Sequence, residues 1–287
     1  MAALHRFTAR LKRAFTNFRK DDPFMQASAL AYSSIFAIPG ILLVTLLVAS
    51  TFYDPQRVRD ALFHQAGGLI GADTAKDLQY MMEQARVTRH GLFSKVIAGV
   101  AVVLSATSAF VALQIALNRV WHVTRKPGHA VLNYVLARLA SLALLASFGF
   151  LLLVSLVLDA TLVALLDRIG TSWIAAAGGL LASLAVVTLI FALVYKLLPD
   201  AHVQWRDIWS GSLFTAVLFT LGKWAIGFYI VKSNAGAAYG TGGAIIIILL
   251  WVYYSSLILL FGAHYTYAKA VENGHAITPG KRAMLVR

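Results

Sequence analysis

Six long apolar runs constrain this chain more than any other feature of its sequence. A bilayer core about 30 Å thick is crossed by roughly 20 apolar residues in a helix, whereas the strands of a membrane barrel alternate over about ten residues. The sequence therefore predicts an all-α, polytopic membrane protein with about six transmembrane helices. The predicted spans are Phe24–Phe52, Leu92–Asn118, Leu132–Leu166, Trp173–Leu198, Ile208–Val231 and Gly243–Ala270.

The composition agrees with a lipid environment. Hydrophobic residues make up 59% of the 287 residues and charged residues 13%, whereas about 25% of a soluble domain is charged. So few polar side chains cannot cover a water-exposed surface. The sequence contains no cysteine, which excludes disulfides and thiolate chemistry.

The net charge of +13 is typical either of nucleic-acid binding or of a membrane protein with a positive-inside bias. We favour the second interpretation, because the basic residues lie at the ends of the apolar runs. With the N-terminus inside, fifteen Lys and Arg residues fall on the cytoplasmic side and eight outside. The sequence therefore predicts both termini in the cytoplasm, and membrane lipids with anionic headgroups rather than nucleic acid as partners.

Polar segments divide the chain into three parts. Residues 1–23 form a basic cytoplasmic segment, predicted to be an amphipathic helix on the membrane surface or, alternatively, a solvated tail. Residues 24–270 form the predicted transmembrane domain, whose outer loop 53–91 is expected to fold into short amphipathic helices. Residues 271–287 form a basic cytoplasmic tail. The apolar stripe of the first segment consists of Leu4, Phe7, Leu11, Phe15 and Phe18.

Several motifs along the chain form one recognisable combination. The sequence reads YKLLPDAHVQWRDIWSGSLFTAVLFTLGKWAIGFYI at 195–230 and AYGTGGAIIIILLWVYYSSLILLFGAHYTYA at 238–268, with ALAYSSIFAIPGILL at 29–43 and LQIALNRVW at 113–121. Over nearly the whole chain this combination resembles the YihY/BrkB family of bacterial inner-membrane proteins. Its most specific members are, in order, Leu198, Pro199, Gly211, Tyr239, Gly240, Trp251, Gly262 and Ala263.

The resemblance implies a six-helix, multi-pass protein of the bacterial inner membrane, without a settled activity. The family was long labelled ribonuclease BN, a label that looks like a misassignment. Its members are linked to serum resistance and virulence, and one branch to export of an envelope lipid. Members often carry an acidic residue after Gly-Ala in the last helix. This chain has His264 there, so a role assigned to that acidic group does not carry over.

Ionisable side chains inside the apolar runs are the first candidates for substrate binding, since each costs roughly 2.5–3.5 kcal/mol at the bilayer centre on insertion scales. Lys223 is predicted to contact a lipid phosphate or a carboxylate, and Arg138 an anionic headgroup; alternatively, each extends towards the headgroups. Asp159 is predicted either to pair with a cation of another helix or to lie at the outer interface.

Polar uncharged groups and His264 complete the candidate set. His264 is predicted to relay a proton or to donate to a carbonyl of a neighbouring helix. Gln114 and Asn118 lie one turn apart and suit hydrogen bonds between helices. Pro39 predicts a kink in the first helix, and Tyr32 lies in the polar segment before it. This segment is predicted either to line a cavity or to have no further role.

The glycine-rich segment AYGTGG (238–243), which includes Gly240 and Gly242, is predicted either to hold an anion at the start of the last helix or to form a simple turn. No Lys-Ser/Thr pair follows it, so it is not a nucleotide P-loop. The sequence also lacks the H-E-x-x-H and G-x-S-x-G motifs. We therefore expect no enzyme activity, no cofactor and no metal site.

Three hypotheses of function remain open. The first is a transporter or flippase-like protein for an anionic amphipathic envelope lipid. The second is a non-transporting envelope scaffold or a virulence-associated membrane protein. A homo-oligomer or an envelope protein partner is an open possibility for the chain. The third is the inherited ribonuclease label, for which we expect no activity.

Overall fold

The computed structural model is a bundle of long helices with two short pairs of strands. It describes residues 2–49, 53–70, 74–77, 79–80, 92–126, 172–233, 243–275, 277–280 and 283–286. The labelled helices are α1 (Ala2–Lys20), α2 (Pro23–Ala49), α3 (Pro55–Ile70), α4 (Leu92–Val120), α5 (Ser172–Leu197), α6 (Trp205–Ser233) and α7 (Gly243–Glu272). The strands are β1 (Val123–Arg125), β2 (Ala201–His202), β3 (Thr278–Pro279) and β4 (Ala283–Leu285).

Helices α2, α4, α5, α6 and α7 coincide, within a few residues, with five of the apolar runs. The predicted span Leu132–Leu166 lies outside the described residues, so the total of six stays a prediction. Within the described residues, four helices contain segments that are long and apolar enough to cross a membrane. The structure and the apolar patterning together confirm a helical, membrane-embedded fold. The four segments are Val100–Val120, Gly178–Leu197, Trp205–Tyr229 and Gly243–Glu272.

Helix starts follow from local chemistry. Asp22 has a positive φ of 49°, which separates α1 from α2, and Pro23 opens α2 at the position where a missing N–H does no harm. Asp54 caps α3, because its Oδ1 accepts hydrogen bonds from the backbone N of Gln56 (3.0 Å) and Arg57 (3.2 Å). Part of the segment 53–91 is therefore helical, while its position on the outer side stays a prediction.

Both strand pairs lie at one end of the bundle, which we call the terminal end. Strand β1 follows α4 and pairs antiparallel with β4, while β2, between α5 and α6, pairs with β3. Helix α1 also reaches this end, where Arg10 Nε lies 2.5 Å from Glu272 Oε2. The N-terminal and C-terminal segments thus share one end of the bundle. Its placement in the cytoplasm stays a prediction from the charge distribution.

Helix α1 packs along the last turns of α7. Phe18 meets Phe261 edge-on at 5.4 Å between ring centroids, and Ala14 is fully buried. Phe15, which the sequence placed in the same apolar stripe, is instead exposed. The reason is that the small side chain of Ala14 occupies the contact position and allows the two helices to approach closely.

Helices α2 and α4 are in close contact near the middle of α2. Helix α2 continues through Pro39 without a break, and the hydroxyl of Ser105 donates to the carbonyl of Phe36. A Cβ on Gly40 would lie 2.9 Å from the backbone N of Ala106. Glycine at position 40 is therefore required for this approach.

Helices α6 and α7 meet through two reciprocal glycine–threonine contacts. A Cβ on Gly211 would overlap Thr266, and a Cβ on Gly262 would overlap Thr215. Each threonine hydroxyl donates, at 2.8 Å, to the carbonyl of the glycine four residues earlier on its own helix. Two glycines of the family-like motif therefore have a structural role, which is to bring two membrane helices together without unpaired polar groups.

The contact between α6 and α7 predicts that two glycines of α6 differ in how much stability the protein loses when each is replaced by alanine. Gly211→Ala should destabilise the protein by about 1–3 kcal/mol, because the added methyl group overpacks the contact with Thr266. Gly227→Ala is the matched control, since a Cβ there meets no described atom within 4 Å. Thermal unfolding in detergent measures both variants. Equal midpoints for the two would contradict the close contact.

Candidate functional site

Four polar side chains from three separate segments meet at the terminal end. Asp200 Oδ2 accepts hydrogen bonds from Asn118 Nδ2 (2.9 Å) and Arg125 Nε (3.0 Å). Asp200 Oδ1 lies 3.4 Å from Gln114 Nε2, and Arg125 Nη2 donates to Gln114 Oε1 at 2.6 Å. We call Gln114, Asn118, Arg125 and Asp200 the Asp200 cluster.

The local fold explains why these four residues meet. Gln114 and Asn118 lie one turn apart on α4 and share a face. The chain then turns at His122, which has a positive φ of 52°, and this turn brings Arg125 back beside α4. Asp200 follows the end of α5 and the buried Pro199. The backbone carbonyl of Asp200 accepts from Gly280 N at 2.8 Å, so the C-terminal segment is joined to the same place.

The sequence singled out Gln114 and Asn118 but missed Arg125 and Asp200. Both missed residues lie outside the apolar runs, where a charged side chain is ordinary. The only available signal was Asp200 next to Pro199 in the family-like motif. It did not say which partner the carboxylate would have.

A second buried carboxylate joins α6 to the end of α7. Asp207 is fully buried in the first turn of α6, where a negative charge is favoured by the helix dipole. It accepts from Asn273 Nδ2 at 2.7 Å and lies 2.6 Å from His275 Nδ1. Ser210 donates to the Asp207 carbonyl at 3.0 Å and contacts Lys269 Nζ. These bonds fix the tail against the bundle.

His264 lies in a third polar group, between α7 and the turn that joins α1 to α2. Its side chain is almost fully buried, and its Nε2 is 3.6 Å from Asp21 Oδ2, which is longer than a hydrogen bond. Phe18 packs edge-on against the imidazole at 5.8 Å. Within the described residues, Asp21 Oδ2 is buried and accepts no hydrogen bond. Burial raises the pKa of the Asp21 carboxyl, while His122 and Arg119 act in the opposite direction.

This environment predicts pH-dependent stability. The raised pKa means that the folded state holds the Asp21 proton more strongly than the unfolded state. The stability contributed by the protonated carboxyl is therefore complete in acid and is lost as the pH rises through the folded pKa. Asp21→Asn should thus unfold at a higher temperature than the wild type near about pH 8, and this advantage should shrink towards about pH 4.

The exposed neighbour Asp22 provides the control, because Asp22→Asn removes one negative charge from the same turn without removing a buried group. Thermal unfolding of both variants across the pH range separates burial from net charge. Equal behaviour of the two variants would contradict the argument.

A cavity of about 260 Å³ lies midway along the bundle, where α2, α4, α5, α6 and α7 meet. Its wall is apolar except for three serines, and the hydroxyl of Ser255 is buried with no hydrogen-bond partner among the described residues. Trp251, a member of the family-like motif, forms part of the wall. The lining consists of Leu30, Ser34, Ile41, Ala109, Phe110, Leu113, Phe191, Phe219, Trp251, Val252, Ser255, Ser256 and Leu259.

The remaining candidates lie apart from the three polar groups. Tyr32 is 66% exposed and borders a groove between α2 and α7 that also contains Tyr253. Lys223 is on the exposed side of α6, beside Trp224. The structure therefore does not bring Lys223 together with Gln114, Asn118 or His264. Candidates outside the described residues are Arg138, Asp159, Tyr239, Gly240 and Gly242.

Among the described residues, no group of three or more His, Asp or Glu side chains is placed to hold a metal ion.

The Asp200 cluster predicts energetic coupling between two residues that are far apart in sequence. A double-mutant cycle with Arg125→Gln and Asp200→Asn should give a coupling energy of about 1 kcal/mol, because the two side chains are only partly exposed and share Gln114. Asp54→Asn is the control, since Asp54 caps α3 away from the terminal end. The destabilisation by Asp54→Asn, measured by thermal unfolding, should add to the destabilisation by Arg125→Gln. Additivity in both pairs would contradict the cluster.

Comparison with known proteins gives consistent matches over most of the chain. A family model described as "Virulence factor BrkB" matches residues 14–284. A UPF0761 membrane protein of Alkalilimnicola ehrlichii is 29% identical over 267 residues, which cover 88% of this chain and 56% of that protein.

Two further relatives give similar values. A UPF0761 membrane protein of Verminephrobacter eiseniae is 31% identical over 256 residues, 86% of this chain and 58% of that protein. One of Xanthomonas axonopodis pv. citri is 27% identical over 278 residues, 92% of this chain and 64% of that protein. The chain therefore spans less than two thirds of the length of these relatives. No solved structure matches the chain.

Proposed function

Because the chain belongs to the YihY/BrkB family of membrane proteins, we propose that it is a transporter or flippase-like protein for an anionic amphipathic lipid of the cell envelope. The observation that supports this function best is the cavity in the middle of the bundle. The bacterial inner membrane is the proposed location. A contribution to virulence is part of the proposal, and the name of the matching family model supports it.

The chemistry of the cavity suits part of an amphipathic molecule. Its apolar walls favour an acyl chain, since burying apolar surface is favourable. The serine hydroxyls provide a few donors among apolar groups, as small-molecule sites do. A buried hydroxyl without a partner costs about 1–3 kcal/mol. A polar atom of a bound lipid that bonds to Ser255 would remove that cost, and binding is favoured accordingly.

The Asp200 cluster follows the cavity lining along the sequence of α4. Leu113 lines the cavity and the following residue, Gln114, belongs to the cluster. The guanidinium of Arg125 suits a phosphate as well as a carboxylate, because both accept two parallel hydrogen bonds. In this proposal, a lipid phosphate that reaches the terminal end replaces Asp200 as the hydrogen-bond acceptor of Arg125. Arg138 and Lys223 contact headgroup oxygens from opposite leaflets.

Movement of a labelled lipid headgroup tests the proposal. The protein is reconstituted in vesicles with tracer phosphatidylglycerol that carries a fluorophore on its headgroup. A quencher that cannot cross the membrane is added outside, and it bleaches inner-leaflet label only after that label has moved to the outer leaflet. The rate of this slow bleaching is measured. We expect faster bleaching than in empty vesicles. Equal rates in both, across a panel of anionic envelope lipids, would contradict the proposal.

Two variants of α4 connect this activity to the cavity. Ala109→Phe places a ring in the cavity and should slow headgroup movement about tenfold, because the ring occupies the space that an acyl chain would take. Ala101→Phe adds the same side chain two turns away, on the exposed side of α4, and should leave the rate unchanged. Thermal unfolding verifies that both variants fold. Equal slowing by the two variants would remove the cavity from the mechanism.

A further inference from the structure

Helix α1 presents two sides with different chemistry. One side is covered by α7, through Ala14, Phe18 and the ion pair of Arg10 with Glu272. The other side carries Lys12, Arg13, Arg19 and Lys20, all exposed. Residues 1–20 include no Asp or Glu, so no carboxylate of α1 neutralises this side. We call these four residues the basic face.

Packing against α7 changes how α1 can meet a membrane. A free amphipathic helix buries its apolar stripe in the bilayer and keeps its charges in water. Here α7 and α6 cover part of that stripe: Phe18 is buried, and Phe7 contacts Phe214 and Tyr265 although it stays 40% exposed. The basic face lies on the other side of α1, so its contact with a bilayer rests on charge, with Phe15 as the one exposed aromatic ring between Lys12 and Arg19.

The position of α1 places the basic face at headgroup level. Helix α7 has 30 residues and is about 45 Å long at 1.5 Å per residue, whereas the hydrocarbon core is about 30 Å thick. The helix is therefore longer than the core, and the charged Lys269 and Glu272 place its last turns, on which α1 packs, outside the hydrocarbon. Trp205 and Trp209, stacked at 6.2 Å at the start of α6, mark the same level, because tryptophan is enriched at membrane interfaces.

We propose that the basic face of α1 is a docking surface for the phosphate groups of anionic phospholipids in the adjoining leaflet. Lys and Arg near an anionic surface each contribute attraction that decays within a Debye length. Charge complementarity favours this occupant over a neutral lipid surface. The exposed side chains of Phe24 and Met25 at the start of α2 continue from α1 into the apolar region. The inference is independent of lipid transport, since it concerns a surface outside the cavity.

The absence of cysteine from the sequence allows one dye to be placed on the exposed side of α1 by Thr16→Cys. The full chain is reconstituted in phosphatidylcholine vesicles that contain tracer phosphatidylglycerol or tracer phosphatidylcholine with an acceptor dye on an acyl chain. Energy transfer reports which tracer collects beside α1. We expect preference for phosphatidylglycerol at low salt and its loss at about 1 M NaCl, where the Debye length is about 3 Å.

Two matched double variants assign the preference to the basic face. Lys12→Gln with Arg19→Gln should reduce the preference about thirtyfold, because each of the two cations contributes about 1 kcal/mol. Arg57→Gln with Lys76→Gln removes two cations from the outer loop and should leave it unchanged. Retention of the preference in the first variant, or in high salt, would overturn the proposal.

Two other outcomes would also overturn it. If Phe15→Ser abolishes the preference and the charge variant does not, α1 binds by insertion of its aromatic ring. If a labelled oligonucleotide binds to the protein in pure phosphatidylcholine vesicles through Lys12 and Arg19, and no lipid preference exists, the basic face serves nucleic acid.

Discussion

The close approach of α6 and α7 is the contact on which the arrangement of the other helices depends. Lipid provides no hydrophobic force that brings helices together, so association relies on close packing and on satisfied polar groups. Gly211 and Gly262 supply the closeness, and the hydroxyls of Thr215 and Thr266 are bonded within their own helices. Helix α7, held in this way, also contacts α1, α2 and α4.

Polar chemistry is divided between two levels of the bundle. At the terminal end, Asp207 is buried and Asp200 is half-buried. Both carboxylates accept hydrogen bonds, as buried carboxylates require. The cavity in the middle has few polar groups, and one of them, Ser255, lacks a partner within the described part of the chain. The terminal end is thus well suited to hold segments together, although Asp21 Oδ2 there also lacks a partner among the described residues, and the cavity offers the Ser255 hydroxyl to an added molecule.

The strands at the terminal end connect regions that are far apart in sequence. Strand β4 pairs with the segment after α4, and β3 pairs with the segment after α5. Together with His275 bound to Asp207, these pairs tie the tail across three helix ends. A rearrangement that moves the ends of α4 and α5 away from the tail would have to break these pairs.

The sequence by itself determined the helical membrane fold, because the length of each apolar run is set by bilayer thickness and needs no partner to be recognised. It also placed Gln114 and Asn118 on one helix face, since that follows from the helical repeat alone. Only the tertiary structure decided that they bond Asp200 and Arg125, that His264 faces Asp21, and that Phe15 is exposed while Ala14 is buried. These outcomes depend on which distant segments pack together. Contacts between such segments produce no repeating pattern of residues that could be recognised in a single sequence.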